Sequence, residues 1–185
     1  MFKCFVLFIS CALFIVGCAS KNAFLNQDFA AEKIEIKATA AEVHIMDNRK
    51  SITDRRLKIP SLSLPGQRDK IEPTLTDSQI QMIKAETAKY FVGGNKTVIV
   101  NVTIFQGSQG FNAGWLREKE TVEFEIGIDL LEANSKQLLA AGSGYATFEV
   151  KSIDASQGYT NKLFDKAIQT SIYKCLEKMA RTFSN

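Results

Sequence analysis

Two stretches decide the fold: Thr97–Phe105 reads TVIVNVTIF, and Thr121–Leu131 reads TVEFEIGIDLL. In both, apolar side chains alternate with polar or charged ones. This period of two is typical of a strand with one buried face and one solvated face. The sequence therefore predicts a half-buried sheet that needs a second layer to cover its apolar side.

The segments before and after these two strands complete the sheet with further strands and supply two helices as the second layer. Further strands are predicted at 41–47 and 137–151, the second with Gly142 and Gly144 marking a bulge or a close backbone approach. Thr76 and Gln79 have the spacing of a capping box, which predicts a helix over 77–92. An apolar stripe at helical spacing predicts a second helix near 160–182. The predicted order β-α-β-β-β-α gives an α+β two-layer sandwich, a mainly antiparallel sheet with two helices on one face.

Two connections are candidate interaction surfaces. The glycine-rich segment 106–114 is expected to be a flexible link between strands, with Phe111 and Trp115 placed to contact a partner or a membrane interface. The alternative is that these aromatics fold under the sheet edge as core. The segment 48–75 contains all three prolines and is expected to be a loop. It carries seven cations, among them Arg49, Arg55 and Arg56, which either meet an anionic partner or are simply solvated.

The amino terminus has the features of an export signal. Residues 1–17 contain one cation, Lys3, followed by an apolar run that is too short to span a bilayer as a helix. The run ends in Ile15-Val16-Gly17-Cys18, which resembles the lipobox of bacterial lipoproteins. That resemblance implies cleavage before Cys18 and attachment of a diacylglyceryl group and an N-acyl chain, the palmitate type of modification, to this cysteine. An uncleaved anchor or an ordinary signal peptide is the alternative.

The lipobox resemblance also implies a place in the cell. Two or more acyl chains anchor a protein stably, at about 0.8 kcal/mol per buried methylene. Ala19 after the cysteine favours the outer membrane by the sorting rule of enteric lipoproteins, with the protein on the inner leaflet and facing the periplasm. The expected organisation is a signal peptide at 1–17, a lipidated tether at 18–33 and one periplasmic α+β domain at 34–185.

Composition excludes several classes of protein. With 45% hydrophobic residues in 185, the chain has enough apolar material to fold and is not a disordered protein. The formal net charge of +3 falls to +2 once Lys3 is removed, which excludes a nucleic-acid binder on charge grounds. Of the four cysteines, two leave with the signal peptide and Cys18 is lipidated, so Cys175 has no partner for an intramolecular disulfide.

The residues give little support to catalysis. His44 is the only histidine and lies within a predicted strand, and no cluster of ligands has metal-binding spacing. Glu123 and Glu125 are about 6.5–7 Å apart on one strand face, a separation that inverting glycosidases use. That face is predicted to be solvated, with nothing to raise one pKa. Cys175 lies on an apolar helix stripe and is expected to be a buried, inert thiol.

The lipobox and the order of elements, together with Asp47-Asn48-Arg49 and the strand at Thr121–Leu131, resemble the small YajG-like outer-membrane lipoproteins. The resemblance implies location and fold more than a mechanism. We therefore expect no enzyme activity and no cofactor beyond the lipid, and a binding or accessory role toward another envelope component. That component is an envelope protein, lipopolysaccharide or peptidoglycan. The alternatives are a small hydrolase using Glu123 or Glu125, and a self-associating structural lipoprotein.

Overall fold

A computed structural model describes residues 34–152 and 156–183 of the chain. The predicted signal peptide, Cys18 and the predicted tether lie outside these residues. In the part of the chain that is described, no helix is long and apolar enough to cross a membrane.

The described residues form six strands and two helices. In chain order they are β1 (Thr39–Asp47), β2 (Ile52–Thr53), β3 (Arg68–Pro73), α1 (Asp77–Ala88), β4 (Thr97–Ala113), β5 (Glu118–Glu132), β6 (Leu138–Ser152) and α2 (Gln157–Phe183). The α+β class with two helices and an open, mainly antiparallel sheet is confirmed.

One long strand, β4, organises the sheet. It has 17 residues and pairs antiparallel with β5 from Val98 to Ala113, and β5 pairs antiparallel with β6. The other edge of β4 pairs with two strands. β1 runs parallel along its first half, from Thr39 opposite Thr97, and β3 runs antiparallel along its second half, from Arg68 opposite Asn112. The sheet is therefore mixed, and the segment predicted as a loop at 48–75 supplies two of its strands.

The prediction that 106–114 is a flexible link is wrong. These residues continue β4 to Ala113, after a register shift between Ile104 and Gln106. Glycine is depleted in strands, so local sequence favours a loop here. The hydrogen bonds come instead from β5 on one side and β3 on the other.

The capping box at the start of α1 is confirmed. The Gln79 amide donates to the Thr76 hydroxyl at 3.2 Å, and the Gln79 side chain accepts from the Thr76 amide at 3.1 Å. The helix ends at Ala88, four residues before the predicted end. Gly93 then has a φ of +87°, a left-handed conformation that glycine adopts without steric cost.

The helix α2 covers the apolar face of the sheet, as its stripe predicts. Phe164 packs edge-on against Phe124 of β5, with ring centroids 5.6 Å apart. A Cβ atom built at Gly144 of β6 would lie 1.8 Å from the Ser171 carbonyl oxygen of α2. The prediction of a close backbone approach at this glycine is confirmed, because only glycine lets the helix lie this near the strand.

Candidate functional site

Four large apolar side chains are exposed at one end of the sheet. The turn between β4 and β5, closed by a 2.9 Å hydrogen bond from the Gly114 amide to the Arg117 carbonyl, carries Trp115 and Leu116. These two are 89% and 90% exposed. Leu62 and Leu64, also exposed, belong to the loop before β3, which is hydrogen-bonded to Ala113 just before the turn. We call Leu62, Leu64, Trp115 and Leu116 the apolar tip.

Phe111 has the opposite environment. It is 3% exposed and packs in a small cluster with Leu57, Ile71 and Ala113 on the inner face of the sheet. Leu57 reaches this cluster from the loop after β2, so part of the predicted loop covers the sheet. Phe111 is therefore a core residue, the alternative that the sequence left open, and its side chain is not available to a partner. The side chain of Trp115 is exposed and available.

Beside the apolar tip, the outer face of the sheet carries a row of cations. The register places Arg68 of β3 next to Asn112, Asn112 next to Lys119, and Lys119 next to Lys151. Paired residues share one face of a sheet, so these side chains project on the same side. Arg68, Asn112 and Lys119 border an open depression of about 470 Å³ above Gly110, which Lys70 and Thr121 also line. We call this feature the cationic depression.

The cations of the depression differ in their pairing. Lys119 Nζ lies 2.6 Å from Glu149 Oε2, and this hydrogen bond lowers the pKa of Glu149. Lys70 Nζ lies 2.8 Å from Glu123 Oε2. Arg68 makes no ion pair with any residue in 34–152 or 156–183. The guanidinium of Arg68 is exposed and remains available to an anion.

Glu123 lies in a polar cluster on the same outer face. Its Oε2 accepts hydrogen bonds from Lys70, from Ser108 at 2.9 Å and from Gln106 at 2.8 Å. The hydrogen bond from Lys70 is the main cause that lowers the pKa of Glu123, with partial burial opposing it. A general acid of a glycosidase needs a raised pKa, so this environment favours an ionised structural carboxylate over a proton donor.

Arg49 lies inside the sheet, which corrects its prediction as an exposed partner-binding cation. Its side chain is fully buried where β1 and β3 both end against β4. It donates to both carboxylate oxygens of Asp47, at 2.8 and 2.6 Å. It also donates to the carbonyl oxygens of Pro73 at 2.9 Å and Gly107 at 3.1 Å. Arg49 therefore joins three strands at the one stretch of β4 that lacks a neighbour on this side.

Asp47 is held ionised by the same contact. Burial acts to raise the pKa of Asp47, but the hydrogen bonds and the charge of Arg49 outweigh it and keep the pKa below its ordinary value. The Arg49 side chain is fully buried, whereas the Asp47 carboxylate is partly exposed, so the loss of Arg49 would leave two carbonyl oxygens without a donor and a carboxylate that water reaches in part. The Asp47-Asn48-Arg49 segment thus has a structural role.

The two other predicted cations, Arg55 and Arg56, are exposed and lie on the side of the sheet that the helices cover. Arg55 forms a two-pronged pair with Asp69, both N–O distances being 2.7 Å, and this pair lowers the pKa of Asp69. Arg56 is exposed and makes no ion pair with a described residue. The cations of the predicted basic loop therefore lie in three places. Arg49 is buried, Arg55 and Arg56 are exposed on the helix side of the sheet, and Arg68 and Lys70 line the cationic depression.

Arg55 and Arg56 border a second cavity, about 470 Å³, between the loop after β2 and the first turns of both helices. Its amide side chains bind one another. Gln109 and Gln157 both donate to Asn161 Oδ1, at 3.3 and 3.0 Å, and Gln79 donates to Asp165 at 2.8 Å. These bonds hold the helices to each other and to β4, which is a sufficient role for the residues concerned.

Residues with potential for chemistry are dispersed. His44 Nε2 lies 2.7 Å from Glu42 on the surface of β1, with its side chain 58% exposed. Cys175 lies on the buried face of α2, and burial raises its pKa to about 12, as expected of an inert thiol. Within 34–152 and 156–183, no group of three or more His, Cys, Asp or Glu side chains is placed to hold a metal ion.

Arg68 is one of the seven cations of the predicted basic segment, but sequence reasoning missed that Asn112 and Lys119 lie beside it, since only the strand register brings these residues together. It also missed Leu62 and Leu64. The run Ser61-Leu62-Ser63-Leu64 before Pro65-Gly66 is a local signal for them, because isolated leucines between serines and a turn have no core to join.

No protein-family model matches the chain, and no curated protein matches it. Among solved structures, a Xanthomonas campestris protein of the DUF330 family aligns over 85% of this chain and 89% of its own, at 12% identity and a TM-score of 0.44. A neuraminyllactose-binding hemagglutinin homolog from Helicobacter pylori aligns over 86% and 92%, at 6% identity and a TM-score of 0.42. At these values neither similarity bears on the function of this chain.

Proposed function

We propose that this protein is a lipid-anchored envelope lipoprotein that acts as a non-enzymatic binding or accessory factor. Cys18 carries the anchor, on the inner leaflet of the outer membrane, and the apolar tip with the cationic depression contacts another envelope component. The observation that carries the binding role is the exposure of Trp115 and Leu116, 89% and 90%, on a hydrogen-bonded turn. Exposed apolar side chains that cluster at one place mark interaction sites more often than scattered ones do.

The electrostatics of the site favour binding over hydrolysis. Glu123 has its pKa lowered by Lys70, and the depression beside it is open and bordered by cations. Cations on an open surface attract anions, whereas an acid catalyst needs a carboxyl whose pKa is raised by an apolar environment.

Self-association through the outer sheet edge receives less support. Two lysines of α2 cover part of the free edge of β6, with Lys174 Nζ donating to the Tyr145 carbonyl at 3.2 Å and Lys178 Nζ to the Ser143 carbonyl at 3.4 Å. Charged lysines on an edge strand oppose strand-to-strand pairing between copies. We expect light scattering from unlipidated protein to give a monomer mass that does not rise with concentration.

The anchor is tested by a Cys18→Ser variant, with Cys11→Ser as the matched control. The control removes a thiol seven residues earlier, within the predicted signal peptide. We expect the parent protein and Cys11→Ser to enter the detergent phase on phase partitioning, and Cys18→Ser to stay in the aqueous phase. Entry of Cys18→Ser into the detergent phase would show that the lipoprotein assignment is wrong.

The binding surface is tested in living cells by a photo-crosslinking residue at position 115. The control position is 138, because Leu138 is also exposed, at 55%, and lies at the opposite end of the sheet. We expect a crosslinked product from position 115, with a protein or a lipid, which weakens in the Arg68→Gln background, and none from position 138. Equal labelling from both positions, or none from 115, would contradict the proposed surface.

A further inference from the structure

The apolar tip and the cationic depression together suggest the chemistry of the partner. We propose that this end of the sheet docks on a bilayer of anionic phospholipid, with Trp115 and Leu116 inserted at the interface and a headgroup phosphate in the cationic depression. This inference rests on the proposed function and names the component that the binding surface contacts.

The apolar part of the surface fits a membrane interface. Tryptophan is enriched where hydrocarbon meets headgroups, because its ring is apolar and its indole N–H donates a hydrogen bond. Here the single tryptophan of the chain stands on a tight turn beside Leu116, with the exposed Leu62 and Leu64 on the adjoining loop. A protruding turn of this kind can enter the interface without unfolding the strands behind it.

The polar part supplies the charge. Arg68, which has no ion pair among the described residues, and Lys119 stand on either side of Asn112 in the row next to the turn. The depression they border exists because Gly110 has no side chain. A Cβ atom there would lie 2.6 Å from the Thr121 hydroxyl. Guanidinium, ammonium, amide and hydroxyl groups around an open floor are suitable donors for a phosphate.

The length of the chain allows the docking to occur on the anchoring bilayer. Thr39, where β1 begins, pairs with Thr97 at the end of β4 remote from the apolar tip. The 17 residues of β4 span about 55 Å. Ile36 is buried and hydrogen-bonded to Tyr90, so the chain is fixed from there on, and Cys18 precedes Ile36 by 18 residues, whose fully extended length is about 60 Å. The covalent distance between anchor and sheet therefore permits the apolar tip to reach the membrane that holds Cys18.

The test uses the full lipidated protein in vesicles that contain brominated lipids, which quench tryptophan fluorescence only on contact. Trp115 is the only tryptophan, so its emission reports on the apolar tip alone. In vesicles of phosphatidylethanolamine with phosphatidylglycerol we expect quenching and a blue shift, and in vesicles of phosphatidylcholine neither. Arg68→Gln should lower the ratio of docked to free tip about fivefold. Lys84→Gln, which removes an exposed cation from α1, should leave the ratio unchanged.

Each other result overturns the inference in a recognisable way. Protein that remains on the vesicles with Trp115 unquenched in both lipids refutes the docking and leaves the anchor and the binding role standing. Equal quenching in both lipids refutes the role of the headgroup. Protein that sediments with neither vesicle refutes the anchor and the docking together.

Discussion

Phe111 and Trp115 lie four residues apart in the same hairpin, yet the first is 3% exposed and the second 89%. Phe111 belongs to the strand and faces inward, where Leu57 covers it. Trp115 belongs to the turn, beyond the last strand pair at Ala113 and Glu118. The comparison separates a strand residue that packs in the core from a turn residue whose side chain is solvated, and only the second can be lost without disturbing the packing of the sheet.

The largest effect is expected inside the sheet, at Arg49. Arg49→Gln removes the ion pair with Asp47 and leaves the Pro73 and Gly107 carbonyl oxygens without their donor, so we expect a loss of about 3–5 kcal/mol in the free energy of unfolding, measured in urea. Arg56→Gln, an exposed cation seven residues later, should change it by less than about 0.5 kcal/mol. Equal effects of the two variants would contradict the structural role of Arg49.

Phe111→Ala should follow in size. Removing this ring opens a cavity beneath Leu57 and Ile71, and we expect a loss of about 3 kcal/mol by the same measurement. The value is at the low end for phenylalanine because the surrounding cluster is small. A loss below about 1 kcal/mol would show that Phe111 is not part of a packed core.

Glu123 gives a smaller effect that depends on pH. Because the pKa of Glu123 is lowered in the folded state, its contribution is fully present above the ordinary value of 4.5 and is lost as the pH falls through the lower folded-state value. Glu123→Gln should therefore cost about 1 kcal/mol or less in urea unfolding at pH 7, and progressively less as the pH is lowered below 4.5. A larger cost at pH 2 than at pH 7 would reverse the sign and contradict this account.

The smallest effect on stability is expected at Trp115. Trp115→Ala removes a side chain that is almost fully solvated, so the free energy of unfolding should change by less than about 0.5 kcal/mol. The same variant should lose the contact of the apolar tip with its partner, seen as loss of the crosslink from a photoreactive residue at position 116. A variant that is destabilised as much as Phe111→Ala would erase the distinction between the two aromatics.

The sequence predicts most accurately the elements whose pattern is local. The strand β5 and the stripe of α2 lie where their periodicity indicates, and the capping box sets the start of α1 to the residue. The segment 106–113 and the strand β3 escape prediction because their strand structure depends on hydrogen bonds from each other and from β5, which are remote in sequence. The buried position of Arg49 depends on three strand ends that meet only in the folded sheet.

The candidate site also combines residues that a local motif predicts with residues that only the folded sheet brings together. Trp115 and the lipidation of Cys18 are predicted from short motifs and composition. The cationic depression needs the register of β3, β4 and β5, so the sequence marks Arg68 only as one of the seven cations of the basic segment and does not mark Lys119. Conversely, Arg49 looks like a surface residue in the sequence because charges and prolines surround it, and for Phe111 the sequence leaves an exposed and a core position both open.

The most direct test of the central claim measures how accessible the cationic depression is in the cell envelope. In an Asn112→Cys variant the new thiol stands in the depression, while Cys175 is buried with its pKa raised to about 12 and should not react. Leu138→Cys, at the opposite end of the sheet, is the control. We predict that a maleimide labels both thiols at similar rates in purified protein, and position 112 far more slowly than 138 in permeabilised cells. Equal rates at both positions in cells would show that this end of the molecule contacts nothing there and would contradict the account.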